Sequence, residues 1–344
     1  MIRILVDKKI KDAAETFAQK MLEENRVQSL WELYNSLKFP SETPIPSNIK
    51  ETLLGKYREY IKRIIFHYDE LLALRFGLFK KYEQVFFNIG LSEDDFSRTL
   101  ISKSEKRRPF YMHIVECMDY TKARTFMLDL IKSMNIKCCP YCNACPAETL
   151  GNEDEEKIGR YQLDHFFDKH KYAFLCTSFF NLVPSCVNCN GKKTDKEAFF
   201  YLYCGKHFED SRLDIPNEAD DPSDVTSPFH FSFPNGFSKY ALNGTEESID
   251  IQFDEKTSLQ KEHNRIFLIQ KLYEEHKIEV ANILEAIIDY NDDNTDILKQ
   301  THPKLFFKND RKKRVIFGPY LDESDIHQRA FTKLSIDVAK YFGV

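Results

Sequence analysis

The stretch that decides the fold runs from Cys139-Pro-Tyr-Cys142 to Cys186-Val-Asn-Cys189-Asn-Gly-Lys-Lys193. Two CxxC turns supply four thiolates, which is the ligand set of a tetrahedral structural zinc site. The interval between the turns is longer than in a simple zinc ribbon, which indicates an inserted element. The predicted zinc ligands are Cys139, Cys142, Cys186 and Cys189.

A second interpretation of Cys139-Pro-Tyr-Cys142 is a redox-active dithiol of the glutaredoxin type. Such a site needs a preceding strand in a βαβ unit and no second CxxC pair. Neither condition fits this chain, so the paired turns favour metal binding. The other five cysteines are interpreted as buried thiols, namely Cys117, Cys138, Cys145, Cys176 and Cys204.

The composition is that of a globular protein. With 344 residues, 42% of them hydrophobic, the chain is long enough for two or three domains with real cores. Glycine is scarce (11 residues), which excludes collagen-like and low-complexity classes. We see no apolar run long enough for a transmembrane helix and no signal peptide. We therefore expect a cytoplasmic protein, where paired cysteines indicate metal binding instead of disulfides.

The sequence predicts an α+β fold in three segments. Residues 1–135 have helical periodicity and are predicted to form a helical N-terminal domain, with continuous helices over about 12–37, 70–87 and 111–134. Residues 136–205, rich in Cys, Asn, Asp and His, are predicted to form the zinc-bearing domain. Residues 206–344 are predicted to be a mixed, mostly helical region, with strands over about 228–254 and helices over about 258–290 and 324–342.

The inserted element contains Tyr161-Gln-Leu-Asp164-His165, which predicts a strand that ends in a carboxylate and an imidazole. Asp164 can bind a hard divalent cation, while a neutral His165 can take a proton from water. Phosphodiester hydrolysis needs both an activated water and a positive charge on the phosphate. The pair therefore indicates a nuclease site.

Further polar residues follow in the order that such a site needs. Asn181 can brace the loop after the strand and fix the imidazole through hydrogen bonds. Asn190, at the predicted start of a helix, offers an amide oxygen as a second cation ligand. Lys192 and Lys193 then place positive charge where a phosphate would lie. Each feature alone is common in loops and zinc turns, and an inert zinc module is the alternative.

The formal net charge of −5 does not indicate nucleic-acid binding, but the local field near a site matters more than the total. Two basic clusters are candidates for contact with the phosphate backbone. The first contains Lys106, Arg107 and Arg108, and the second contains Lys312, Lys313 and Arg314.

The phrase Leu163-Asp-His-Phe-Phe…Phe180-Asn-Leu-Val-Pro-Ser-Cys-Val-Asn-Cys-Asn-Gly-Lys-Lys resembles the zinc-bearing HNH endonucleases of the McrA type. The resemblance implies a ββα-metal core with one catalytic Mg²⁺ or Mn²⁺ ion beside the structural Zn²⁺. It makes His165 the general base, Asp164 and Asn190 the cation ligands, and Asn181 the middle Asn. Asp168 lies near the position where many relatives have proline.

The arrangement around this phrase is also similar to the PtuB nucleases of Septu and retron anti-phage defence systems. That resemblance implies a DNA endonuclease that acts with a partner ATPase of the PtuA type. Two alternatives stay open. One is a catalytically silent, zinc-stabilised module that binds nucleic acid or a partner, and the other is an HNH nuclease that acts on RNA, tRNA in particular.

Overall fold

The computed structural model describes residues 2–41, 43–103, 106–151, 156–196, 202–205, 230–290, 296–297, 300–301, 317–318 and 325–343. Within these ranges the fold is mixed α+β and mostly helical, as the sequence predicted. No helix in the described ranges combines the length and the apolar character needed to cross a membrane. Buried apolar side chains from the N-terminal, central and C-terminal segments join in one continuous hydrophobic cluster.

The N-terminal segment is built from helices that pack around buried aromatic and aliphatic residues. The helices are α1 (Lys8–Glu23), α2 (Arg26–Ser36), α3 (Ser47–Phe66), α4 (Tyr68–Leu72), α5 (Phe76–Phe87), α6 (Phe110–Met118) and α7 (Tyr120–Ser133). A small antiparallel sheet joins β2 (Leu37–Lys38), β3 (Leu100–Lys103) and β4 (Lys106–Pro109). The first strand, β1 (Ile4–Val6), leaves this segment and pairs in parallel with residues 203–205.

Three helices predicted as continuous are interrupted in the structure. The helix over 12–37 breaks at Asn25, and the helix over 111–134 breaks at Asp119; both residues are left-handed, with φ of 51° and 56°. The helix over 70–87 breaks between Leu72 and Phe76. Apolar periodicity continues across such breaks because it reports which face is buried and not the backbone angle at one residue.

The central segment contains an antiparallel strand pair followed by a helix. Two minor strands, β5 (Thr149–Leu150) and β6 (Ile158–Gly159), precede it. The pair itself is β7 (Gln162–His165) and β8 (Leu182–Ser185), with Asp164 opposite Val183 and His165 opposite Leu182. Helix α8 (Val187–Lys193) follows directly, and β9 (Tyr203–Gly205) closes the segment. Two stacked ring pairs, Phe79–Phe167 and Phe86–Phe174, attach the connecting loop to α5.

The C-terminal segment also differs from its prediction. The strands are short, β10 (Phe231–Ser232) and β11 (Gln252–Phe253), and α9 (Ser238–Asn243) lies between them. The predicted helix over 258–290 is three helices, α10 (Ser258–Phe267), α11 (Ile269–Glu274) and α12 (Lys277–Asp289). The first break is at Leu268, which is left-handed with φ of 55°. The last helix, α13 (Thr332–Tyr341), begins later than predicted.

Asn143, directly after the first CxxC turn, fastens the C-terminal segment to the central one. Its side chain donates to Ile326 O at 2.9 Å and accepts from Lys333 N at 2.9 Å. Its carbonyl accepts from Phe331 N at 2.7 Å. The residue is fully buried and left-handed, with φ of 53°. Asparagine suits this position because it tolerates a positive φ and provides both a donor and an acceptor.

We predict that Asn143→Ala lowers the free energy of unfolding by about 2–4 kcal/mol, because it adds left-handed strain and leaves buried partners unsatisfied. Urea unfolding measures the change. Asn135→Ala is the matched control, since Asn135 is also left-handed (φ 62°) but exposed. That control should lose only about 1 kcal/mol. Equal losses in the two variants would show that the cross-link contributes nothing.

Candidate metal centre and active site

The four predicted cysteines lie together in the structure. The sulfur atoms of Cys139, Cys142, Cys186 and Cys189 are all within 4.8 Å of one another, and all four residues are buried. A tetrahedral zinc ion with Zn–S bonds of about 2.3 Å places its sulfur ligands about 3.8 Å apart. The donor set therefore fits a metal such as zinc, as the sequence predicted.

Local structure explains how the second cysteine pair is presented. Cys186 is the N-cap of α8, and its sulfur accepts a hydrogen bond from Cys189 N at 3.4 Å. The first pair precedes a left-handed turn at Asn143. His263 Nε2 donates to Tyr141 O at 3.0 Å, and Tyr273 OH donates to Cys142 O at 2.9 Å. Side chains from α10 and α11 thus hold the first turn in place.

The ionisation of each thiol depends on its neighbours in the cluster. Hydrogen bonds from neighbouring thiols, that of Cys139 first, lower the pKa of Cys186. Hydrogen bonding with Cys139 raises the pKa of Cys142 and that of Cys189. The thiolate of Cys186 is therefore favoured, and those of Cys142 and Cys189 are disfavoured. Four thiolates at this separation repel one another unless a cation neutralises them, which is the condition that zinc binding supplies.

Cys145 is a fifth thiol at the edge of this cluster. From the sequence, Cys145 was predicted to be a buried thiol, but in the structure it is half-buried. Its pKa is raised, chiefly through hydrogen bonds with Cys142 and Cys186. The spacing from Cys142 to Cys145 repeats that of a CxxC pair, so spacing alone could not separate the ligand from its neighbour. The mutually close set comprises the other four sulfur atoms.

Asp164 lies near the end of β7 and is buried. Its Oδ2 accepts a hydrogen bond from Tyr141 OH at 2.6 Å and lies 3.2 Å from Lys193 Nζ. Burial raises the pKa of Asp164, while the Lys193 ammonium and the Tyr141 hydroxyl oppose that change. A cation near this carboxylate stabilises its ionised form.

His165 follows on the same strand with a fixed tautomer. Its Nε2 lies 3.0 Å from Cys176 O, and a carbonyl can only accept, so Nε2 carries the proton. Nδ1 then holds the lone pair, and no hydrogen bond to it exists within the described part of the chain. Burial, followed by the charge of Lys169, lowers the pKa of His165 to about 3. The imidazole is therefore neutral at neutral pH, with its lone pair at Nδ1.

Asn181 connects both ends of the loop between β7 and β8. Its Oδ1 accepts from Phe167 N at 2.7 Å, and its Nδ2 donates to Phe167 O at 3.2 Å and to Leu175 O at 3.0 Å. Leu175 precedes Cys176, whose carbonyl orients His165. Asn181 thus acts on the imidazole through the backbone of the loop and does not touch the ring in any hydrogen bond that the structure describes.

Asn190 lies on α8 over the strand face that bears Asp164. Its Nδ2 donates to Gln162 Oε1. Side chains alternate along a strand, so Gln162 and Asp164 point to the same face. Lys193, three residues further along α8, contacts Asp164 on that face. The structure thereby brings Asn190 and Asp164 to one side of the strand pair.

The predicted phosphate contacts differ in their surroundings. Lys192 is exposed, whereas Lys193 is fully buried and donates to His165 O at 2.8 Å. Arg107 and Arg108 lie on β4, and Arg108 Nη1 is 3.4 Å from Glu116 Oε2. Lys106 is also on β4, but its side chain lies outside the described part. Lys312, Lys313 and Arg314 lie outside the described residues altogether.

Other residues at the site were not singled out from the sequence. Tyr120 packs its ring 4.7 Å from the His165 ring, and Lys169 Nζ lies 5.7 Å from the Tyr120 ring centroid. Tyr141 and Gln162 bind the two proposed cation ligands. Tyr141 lies within a quoted motif and Lys169 lies close to one, so the sequence could have indicated both residues. Tyr120 comes from α7, and only the fold brings it to the site.

We predict that Lys193→Met lowers the free energy of unfolding by about 3–5 kcal/mol, because Asp164 is left as a buried charge without its ion pair. Lys192→Met is the matched control, since it removes the preceding, exposed charge and should change stability by less than about 0.5 kcal/mol. Chemical denaturation of both variants, loaded with equal zinc, checks the difference. If Lys193→Met is as stable as its control, the ion pair with Asp164 has no net energetic role.

Comparison with known proteins returns no match. No family model, no curated protein and no solved structure matches this chain. The family resemblance therefore rests on the quoted residues, and the function has to be inferred from the geometry of the site.

Proposed function

We propose that this chain is a metal-dependent HNH endonuclease that hydrolyses phosphodiester bonds in DNA. The observation that carries the proposal is the neutral His165, with its proton held on Nε2 and its lone pair on Nδ1, directly after the buried carboxylate of Asp164. The antiparallel strand pair and the following helix have the order of elements that a ββα-metal core requires.

His165 would act as the general base. Nδ1 accepts a proton from a water molecule, whose oxygen attacks the phosphorus while the bond to the leaving sugar oxygen breaks. The Cys176 carbonyl keeps Nε2–H in place and stabilises the ring as it gains charge. Asn181 holds that carbonyl in position through the loop backbone. The leaving oxygen takes a proton from solvent.

A divalent cation completes this chemistry. Asp164 and Asn190 would bind Mg²⁺ or Mn²⁺, which stabilises negative charge on the phosphate and on the leaving oxygen. Tyr141 and Lys193 both reach Oδ2 of Asp164, and they would hold the carboxylate in place for the cation. The zinc ion at the four cysteines would have a structural role, since four thiolates leave no open coordination position.

We further propose that the chain is the effector nuclease of an anti-phage defence system and acts with a partner ATPase. The support for this role is the resemblance of the central phrase to the nucleases of such systems. The N-terminal and C-terminal segments, which pack against the site through α5, α10 and α11, are the candidate surfaces for the partner.

One observation favours the silent binding module as the second candidate. The Lys193 ammonium already neutralises Asp164 from a buried position, which is the place and charge that a cation would otherwise supply. In that case the zinc centre and the exposed Lys192 would serve binding alone. The two candidates differ in whether a second metal binds.

The deciding experiment is Mn²⁺ titration of the zinc-loaded protein, followed by electron paramagnetic resonance. The nuclease proposal expects one Mn²⁺ site that Asp164→Asn and Asn190→Ala each weaken at least about tenfold. Asp168→Asn, a carboxylate on the adjoining loop, should leave Mn²⁺ binding unchanged. Absence of Mn²⁺ binding, with zinc fully loaded, would favour the silent module. Mn²⁺-dependent cleavage of matched DNA and RNA strands then identifies the substrate.

A further inference from the structure

A cavity of about 440 Å³ is lined in part by Asp168, His170 and Lys171, which belong to the loop that follows His165. Its walls come from the end of α5, the turn of residues 91–97, the loop after His165 and Asp195 after α8. Sites for small ligands span roughly 300–1,000 Å³, so the cavity can enclose one ring system of a ligand. It is too small to receive a base pair with its backbones.

The floor of the cavity is aromatic. Phe86 and Phe96 are buried beneath it, and Phe87 stands at the rim with 43% of its surface exposed. Flat rings of this kind stack on nucleobases without regard to sequence, because every base has a π face. Lys171 Nζ lies 5.8 Å from the Phe87 ring centroid, which places a cation at the entrance.

The rim is rich in hydrogen-bond acceptors. Glu93 and Asp195 are exposed carboxylates that line the cavity, and Glu93 forms no ion pair within the described residues. Asp168 accepts from His170 Nδ1 at 2.7 Å, which orients the imidazole at the same rim. Carboxylates accept hydrogen bonds from the amino and imino groups of bases, and guanine offers both on one edge.

The cavity is close to the proposed catalytic base along the chain. Asp168 is three residues after His165, so its Cα lies at most about 11 Å from that of His165. The same loop is stacked on α5 through Phe79 and Phe167, with ring centroids 3.9 Å apart, which fixes the cavity relative to the site. A base in the cavity can therefore belong to a nucleotide next to the phosphate at His165.

We propose that this cavity takes one unpaired nucleobase of the substrate strand, packed against the exposed part of Phe87 with its amino edge toward Glu93. The inference rests on the proposed function, whose substrate it narrows to strands with an unpaired base beside the cleaved bond. Bases with amino groups, guanine first, are favoured over thymine. A free nucleotide offers the same chemistry, and the test has to separate the two sources.

The test measures binding without cleavage. His165→Ala protein, loaded with zinc and free of other divalent ions, is titrated into a fluorescent thymidine strand of about twelve nucleotides with one central guanine. The all-thymine strand and 5′-GMP are the other probes. Fluorescence anisotropy gives the Kd of each strand, and competition gives that of 5′-GMP.

The guanine strand should bind about tenfold more tightly than the all-thymine strand. Glu93→Gln should abolish that preference. Phe87→Ala should weaken the binding of both strands. Leu78→Ala is the control, because Leu78 is an exposed apolar residue of the same helix, outside the cavity. An equal effect of Phe87→Ala and Leu78→Ala would overturn the proposal, and so would tight binding of 5′-GMP without any strand preference. Because no cleavage is measured, this test can refute base binding in the cavity without refuting the nuclease proposal. Likewise, failure of the nuclease proposal in the cleavage and Mn²⁺ experiments does not decide whether the cavity binds a base.

Discussion

Replacing His165 with alanine should lower the rate of divalent-dependent cleavage by about 10²–10⁴-fold, the usual contribution of a general base. The reason is that the variant has no lone pair at the position of Nδ1 to take the proton from water. The rate should be measured in single turnovers, with the partner and trigger supplied if the isolated chain is silent. Binding of uncleaved DNA should persist, because His165 is buried and bears no charge at neutral pH.

His67→Ala is the matched control for this variant. His67 is a half-buried imidazole of the N-terminal helices, packed on Tyr82 at 5.2 Å and remote in sequence from the site. Its removal should leave the cleavage rate unchanged. Cleavage by His165→Ala at the wild-type rate, with zinc content and melting temperature preserved, would remove His165 from the mechanism.

The pKa of His165 also has a consequence for stability. It is about 3 in the folded chain because of burial, against an ordinary value near 6.5 in the unfolded chain. Between these values the unfolded chain binds the additional proton. The contribution of His165 to the free energy of unfolding therefore rises as pH rises from about 3 to about 6.5, and it is constant above that range. His327, buried with a pKa of about 4, acts in the same direction.

Cys142→Ser should lose the zinc ion and lower the melting temperature by about 10 °C or more, since a structural zinc ion contributes many kcal/mol to folding. Hydrogen bonds from several distant segments meet at the first CxxC turn. Tyr273 bonds the carbonyl of Cys142, and Asn143 fastens the segment that begins near Ile326. Losing the metal therefore loosens more than the turn. Zinc per chain, from elemental mass spectrometry, and differential scanning calorimetry measure the two effects.

Cys145→Ser is a close control because it removes a thiol beside the cluster at the same spacing. It should retain one zinc ion per chain and most of the thermal stability. Equal zinc loss in the two variants would mean that Cys145, and not only the four mutually close cysteines, serves as a ligand. A chelator should reproduce the effect of Cys142→Ser on wild-type protein.

The cysteine cluster was predictable from sequence because ligand spacing is a local property of two turns. The resemblance predicted that Asn190 lies near the strand that carries Asp164. In the structure, Asn190 donates a hydrogen bond to Gln162 on that strand. Contacts between distant segments could not be predicted from the sequence. Tyr120 reaches His165 from α7, and Lys193, predicted to face a phosphate, is buried against Asp164. Helical spacing determines which face is buried, but whether a charged end is covered depends on elements far away in the chain.

Helix breaks were missed for a related reason. Asn25, Asp119 and Leu268 each reverse the sign of φ while the apolar pattern continues on either side. Asparagine and aspartate tolerate the left-handed conformation, so the residue type weakly indicated the breaks at Asn25 and Asp119. Leucine at φ of 55° gave no such signal, because leucine rarely adopts a left-handed conformation.

The seating of residues 325–343 on the first cysteine turn has a consequence for synthesis on the ribosome. Asn143 finds its partners in Ile326, Phe331 and Lys333, and Arg3 O accepts from His327 Nε2 at 2.8 Å. A nascent chain that has emerged only as far as α12 lacks all of these contacts. The first cysteine turn can gain these contacts only after α13 has left the exit tunnel. In a translation product truncated after α12, the first cysteine turn therefore lacks the hydrogen bonds that fasten it to the C-terminal segment.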